Sequence, residues 1–84
     1  MLIKGQNKNF ANLDNVIAIY SNKVRDDKIE IICRADSLKL VVGTYSSEEK
    51  ALKILDMITD AYAEGNELLS AAGKVFDMPA DEEV

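Results

Sequence analysis

Residues 28–45 read KIEIICRADSLKLVVGTY, and this stretch decides the fold. In its first half, apolar side chains alternate with mainly polar ones, which is typical of a half-buried strand. Asp36 and Ser37 then interrupt the pattern with two residues that favour a tight turn. Because the second half alternates again, we predict that strands 28–35 and 38–45 pair antiparallel.

An amphipathic helix is predicted directly after this hairpin. Ser46 and Glu49 have the spacing of a capping box, in which the serine side chain accepts from a backbone amide and the glutamate reaches back. Beyond them, apolar residues recur at spacings of three and four. The stripe consists of Ala51, Ile54, Leu55, Ile58, Ala61 and Tyr62. We predict one long helix over about 47–64, ended by Gly65 and Asn66.

Further strands are predicted on the N-terminal side of the hairpin. Residues 2–4 and the turn-forming segment after them indicate a first hairpin, and the β-branched and aromatic stretch 16–20 indicates another strand. Between that strand and the central hairpin, the polar segment 21–27 is predicted to be a connection. The resulting sheet is an antiparallel meander of four to five short strands.

The C-terminal part adds a short strand and a tail. Residues 74–79 indicate a brief strand stopped by Pro79, whereas residues 67–72 fit either a short helix or a loop. We predict an α+β fold, with the helix packed on one face of the meander. Residues 1–79 form a single domain in this prediction, and 80–84 form a flexible acidic tail.

Charge and cysteine content narrow the classes of function. Ten basic and fifteen acidic residues leave a formal net charge of −5, so direct binding of nucleic acid is not predicted. The single cysteine, Cys33, cannot form an internal disulfide, and its apolar surroundings predict an inert core thiol. No apolar stretch at the N-terminus is long enough for a signal peptide or a membrane span. We expect a soluble cytoplasmic protein.

Few residues in this chain are candidates for a catalytic role. Histidine is absent, which excludes a histidine base, a Ser-His or Cys-His pair and a histidine metal site. Asp56 and Asp60 are one helical turn apart, but that spacing is ordinary for a solvated helix surface. We predict that the protein is not an enzyme and has no catalytic residue, metal, cofactor or small-molecule substrate.

The second face of the sheet is the most informative feature. If Ile29, Ile31 and Cys33 face the single helix, Ile32 and Val41 point to the other side. A sizeable apolar face is rarely left to water, so either the C-terminal segments fold over it or another chain covers it.

We predict a protein interface on this second face. In the strand at 16–20, either the even-numbered or the odd-numbered side chains belong to this second face. The segments of the same chain that could cover it are Leu68–Leu69 and Val75–Phe76. The interface candidates are Val16, Ala18, Tyr20, Ile32, Val41 and Phe76.

Four segments together carry a resemblance to a known group of proteins. They are the Met-Leu-Ile start, Asn12-Leu-Asp-Asn-Val16, Gly43-Thr-Tyr-Ser-Ser-Glu-Glu-Lys-Ala51 and Val75-Phe-Asp-Met-Pro79. In this order they resemble short uncharacterised proteins of Gram-positive bacteria and of their phages or mobile elements. The resemblance covers almost the whole chain and implies an accessory protein, without an active site to carry over.

Two hypotheses of function follow from these observations. The first is a non-enzymatic interaction module that associates with itself or with another protein through the second sheet face or an exposed sheet edge. The alternative is an acidic regulator that occupies the basic groove of a nucleic-acid-binding protein. The negative electrostatic field of such a regulator would come from Asp56, Asp60, Glu64 and the acidic tail.

Overall fold

A computed structural model describes residues 1–67 and 75–84, and it describes side chains for 1–63 and 75–84. The predictions for residues 67–72 and for Leu68–Leu69 therefore lie outside the described residues, apart from Glu67. The elements in chain order are β1 (Leu2–Lys4), β2 (Phe10–Asn12), a 3-10 turn (Leu13–Asn15), β3 (Ala18–Arg25), β4 (Lys28–Ala35), β5 (Leu38–Tyr45), α1 (Glu48–Glu67), β6 (Val75–Asp77) and a second 3-10 turn (Asp81–Glu83).

The α+β class is confirmed: among the residues that the structure describes, six short strands form two small sheets, and one long helix packs against them. β3, β4 and β5 form an antiparallel meander, and the predicted pairing of 28–35 with 38–45 is confirmed. The other sheet has the order β2-β1-β6, in which β1 pairs antiparallel with β2 and parallel with β6. The strands thus divide between two sheets, where the sequence predicted a single meander.

The loop after β1 separates the smaller sheet from the meander, because it packs along the edge of β5. The Gln6 amide donates to the Val42 carbonyl at 2.8 Å, and the Gln6 side chain accepts from the Thr44 amide at 2.7 Å. The Asn9 side chain donates to the Val41 carbonyl at 3.1 Å. This loop satisfies three backbone groups of β5, so β1 and β2 do not extend the meander at that part of the edge.

β3 is longer than the sequence predicted. The segment 21–27 was predicted as a connection, but Ser21 through Arg25 continue the strand and only Asp26 and Asp27 form the turn. The prediction was wrong because these side chains are polar and exposed, which removes the apolar signal of a strand. Their backbone is nevertheless held by the ladder to β4, in which Ser21 lies opposite Ile31.

The helix differs from its prediction at both ends. Ser47, rather than Ser46, accepts from the Lys50 amide, at 3.2 Å. The predicted capping box with Glu49 is therefore wrong by one residue, and the third helical position holds a lysine. At the other end α1 continues to Glu67, past Gly65 and Asn66. A glycine inside a helix costs only about 1 kcal/mol, so it does not have to end one.

One hydrophobic core joins the helix to both sheets. The largest fully buried side chains are Ile3, Ile29, Ile31, Val42, Tyr45 and Ile54. The ladder between β4 and β5 shifts between Ile31 and Ile32, which places Gly43 opposite Ile31. A Cβ at Gly43 would lie 2.9 Å from Met78 Cε and 3.0 Å from Tyr45 Cε2. Glycine at this position therefore leaves the space that Met78 fills after β6.

The last five residues are packed against the domain, in contrast to the flexible tail predicted for 80–84. Asp81 Oδ1 accepts from the Ser46 amide at 2.7 Å, and Lys50 Nζ donates to the Asp81 carbonyl at 2.8 Å. The Tyr45 hydroxyl donates to the Pro79 carbonyl at 2.8 Å, and burial raises the pKa of Tyr45 to about 12. The acidic composition of residues 80–84 predicts a solvated tail. The hydrogen bonds from Ser46 and Lys50 instead hold this segment against the start of α1.

Candidate functional site

The register of the meander sorts its side chains onto two faces. Directly opposed residues of antiparallel strands share a face, and successive residues alternate between faces. Ile29, Ile31 and Cys33 belong to the core that also contains Ile54 of α1 and Ile3 of β1. The helix and the smaller sheet therefore both pack on this side, which we call the inner face.

The opposite side of the meander carries three cross-strand rows, and we call it the outer face. The central row is apolar, and the rows on either side of it are mainly polar. The rows are Ala18, Arg34 and Lys39; then Tyr20, Ile32 and Val41; then Asn22, Glu30 and Thr44.

The apolar row stands apart from the core. Ile32 is only 6% exposed, yet it does not belong to the core cluster, and neither do its half-buried neighbours Tyr20 and Val41. α1 and the smaller sheet pack on the inner face, so neither of them lies over this row. The row therefore exposes a limited apolar area, mainly on Tyr20 and Val41, and a second surface laid on it would remove that remaining area from water.

The rows on either side of the apolar row carry opposite charges, and beyond Glu30 the next outer residue along β4 is the basic Lys28. Arg34 and Lys39 lie exposed beside one side of the apolar row, and the half-buried Glu30 lies beside the other. Glu30 and Arg34 are four residues apart on β4, which separates them by about 13 Å along the strand. Within the described part of the chain, neither of them takes part in an ion pair.

The edges of the meander differ in their availability. The β5 edge is occupied from Val41 to Thr44 by the loop that contains Gln6 and Asn9. The β3 edge is exposed from Ser21 to Arg25, but its pairing with β4 shifts between Lys23 and Arg25. A bulge and basic side chains are features by which natural edge strands avoid pairing with other chains. The face is therefore a better interaction surface than the edge.

Four of the six predicted interface residues come together on the outer face: Ala18, Tyr20, Ile32 and Val41. The other two do not join them. Val16 precedes β3, and Phe76 lies opposite Ile3 in the smaller sheet; both pack against the core. The idea that Val75 and Phe76 fold over the second face is not supported, because β6 pairs with β1 instead.

The charged members of the outer face were missed as site residues. Glu30 and Arg34 have the same parity along β4 as Ile32, so alternation alone assigns them to the same face. Lys39 follows from the pairing of Arg34 across the tight turn. The signal was present in the sequence, but polar positions of a strand are normally interpreted as solvated.

The buried thiol and the cavities offer little reactive chemistry. Burial raises the pKa of Cys33 to about 11, so the thiol is protonated at neutral pH. It lines an apolar cavity of about 200 Å³ together with Ala11, Val16 and Leu40. A larger cavity of about 430 Å³, between α1 and the start of β3, has only uncharged residues in its described lining, including Tyr62.

Two other kinds of site, a metal site and a membrane-spanning helix, have no candidate in the part of the chain that the structure describes. Among residues 1–67 and 75–84, no three acidic or cysteine side chains are grouped so that they could hold a metal ion. In the same part of the chain, no helix has the length and hydrophobicity needed to cross a membrane. Comparisons with protein-family models, with curated proteins and with solved structures returned no match to this chain.

Proposed function

We propose that this protein is a non-enzymatic, self-associating accessory module that forms a homo-oligomer through its outer face. The observation that carries the proposal is the row of Tyr20, Ile32 and Val41, which lies on the side of the meander away from α1. Self-association covers such a row without requiring a second gene product. The resemblance to proteins of phages or mobile elements supports an accessory role, and the single cysteine supports a cytoplasmic location.

The size of the outer face sets the expected strength of association. Three strands of eight residues each span about 26 Å by about 14 Å at the usual strand spacings. That area is about 360 Å² per copy, or about 730 Å² for two copies, which is below the roughly 1,000 Å² of a stable specific interface and fits only a weak, transient one. We therefore expect a reversible, concentration-dependent dimer.

A pair of lysine substitutions tests the proposal. Val41→Lys places a charge in the apolar row, where the half-buried position lets the lysine reach water in the monomer but not in the dimer. Leu52→Lys is the matched control, because Leu52 is 58% exposed on the outside of α1. We expect Val41→Lys to weaken dimerisation by about tenfold or more, equivalent to about 1.4 kcal/mol, and Leu52→Lys to leave it unchanged.

Sedimentation velocity over a range of concentrations measures both variants, with circular dichroism as the check of folding. Equal dimerisation of folded Val41→Lys, Leu52→Lys and the unmodified chain would contradict the proposed interface.

The acidic regulator is the less favoured alternative. Asp56 and Asp60 are exposed on α1, but Asp81 accepts from the Ser46 amide and lies 3.5 Å from Lys50 Nζ. Part of the tail's charge is therefore neutralised within the chain. A complex with a basic protein that weakens steeply as salt rises would favour this alternative, because exposed charges are screened.

A further inference from the structure

Resting on the proposed function, we infer that two copies of the chain stack outer face to outer face about a two-fold axis that crosses the strands through the apolar row. In this arrangement β4 lies antiparallel over β4 of the second copy. Glu30 then faces Arg34 of the second copy, and Arg34 faces the second copy's Glu30.

The order of the rows along the strands leads to this geometry. The apolar row lies between a row that contains Arg34 and Lys39 and a row that contains Glu30. A two-fold axis along the central row superposes that row on its own copy and reverses the strand direction. Each end row then lies over the opposite end row, so positive and negative side chains meet across the interface.

The other simple two-fold arrangement is disfavoured by repulsion between like charges. An axis parallel to the strands keeps their direction and exchanges β3 with β5. It would place Arg34 over Arg34 and Glu30 over Glu30 of the second copy. Like charges directly opposed at a partly desolvated interface are destabilising, so the crossing axis is the one that the outer face favours.

The state of the charged residues within one copy agrees with this assignment. In the described part of the chain Glu30 and Arg34 form no ion pair with each other or with another group, which agrees with their pairing between copies. The same axis places Lys28 at the Asp36 turn of the second copy, which is a further pair of opposite sign. Two sheets that pack face to face usually keep their strand directions within about 30° of each other, and this angle is compatible with these contacts.

Charge reversals test this geometry. Glu30→Lys makes both cross-copy pairs repulsive, and so does Arg34→Glu, so each variant alone should dimerise about tenfold or more weakly than the unmodified chain. A mixture of the two variants pairs lysine with glutamate and arginine with glutamate. We therefore expect the mixed dimer to form with an affinity within about threefold of the unmodified dimer.

The double variant Glu30→Lys plus Arg34→Glu should likewise recover dimerisation, because it restores both pairs with their signs exchanged. Lys53→Glu is the control for Arg34→Glu, since it makes the same charge change on the exposed surface of α1. Fluorescently labelled sedimentation measures the mixed and self-associated species separately, and circular dichroism confirms that each variant is folded.

The outcomes separate the geometry from the proposed function. Weak single variants with a restored mixture and a restored double variant support the crossing axis. If the unmodified chain dimerises but the mixture associates no better than the single variants, the geometry is wrong and the self-association stands. If the unmodified chain is a monomer at all concentrations, the proposed function itself fails and the geometry with it.

Discussion

At the scale of single residues, Asp81 binds the C-terminal turn to the start of α1. The Ser46 backbone amide, which donates to its carboxylate at 2.7 Å, holds the pKa of Asp81 below its usual value, and Lys50 adds to this effect. A carboxyl group whose pKa is lowered by folding stabilises the folded state above the unfolded pKa of 3.8. That contribution is lost as the pH falls through the lower pKa of the folded state.

The pH dependence of an Asp81 variant tests this contact. Asp81→Asn keeps an acceptor for the Ser46 amide but removes the charge, so it should lower the free energy of unfolding at neutral pH. The difference from the unmodified chain should shrink as the pH falls below 3.8. Urea unfolding at several pH values measures it, with the exposed Glu82→Gln as the control of equal charge change. A difference that is constant with pH, or equal in both variants, would contradict the contact.

The residues of the candidate site were partly predictable. Alternation along β4, and along β5 as far as Val42, was enough to place Ile32 and Val41 on the face away from the helix. Val16 and Phe76 were misplaced because parity has meaning only inside a continuous strand. A 3-10 turn precedes β3, and β6 belongs to the other sheet.

At the scale of elements, the cap of α1 shows how far a local pattern can be interpreted. Two serines precede two glutamates, and either serine can cap the helix by spacing alone. The ambiguity is resolved by a distant contact, since the Ser46 amide donates to Asp81 and the Ser47 hydroxyl accepts from the Lys50 amide.

Alanine substitutions distinguish the two serines. Ser47→Ala removes the acceptor of the Lys50 amide and should cost about 0.5–2 kcal/mol of stability. Ser46→Ala should have a smaller effect, because the main contact to Asp81 uses the backbone amide and only the lesser contribution of the Ser46 side chain is lost. Urea unfolding of both variants measures the difference. A larger loss in Ser46→Ala would show that the helix begins one residue earlier.

The strands were predictable where local alternation was strong. The hairpin of β4 and β5 has apolar side chains at every second position and a turn between them, so it was predicted with its correct bounds. The C-terminal half of β3 carries no such signal, because its side chains are mainly polar. This edge strand is held in place by hydrogen bonds to β4. An isolated window of sequence does not contain that partner.

At the scale of the whole molecule, the smaller sheet could not be predicted. β1 pairs in parallel with β6, which joins the two ends of the chain. Short strands of three residues have little pattern of their own, and their pairing is decided by the shared core of Ile3 and Phe76. The arrangement leaves one face of the meander packed and the other bearing the apolar row.

The solution mass of the unmodified chain tests the central claim most directly. Light scattering across a range of protein concentrations, at low and at high salt, determines whether two copies of the chain associate. We predict a monomer that converts to a dimer as concentration rises, with modest weakening at high salt because the apolar row is insensitive to screening. A monomer at every concentration in both salts would contradict self-association through the outer face.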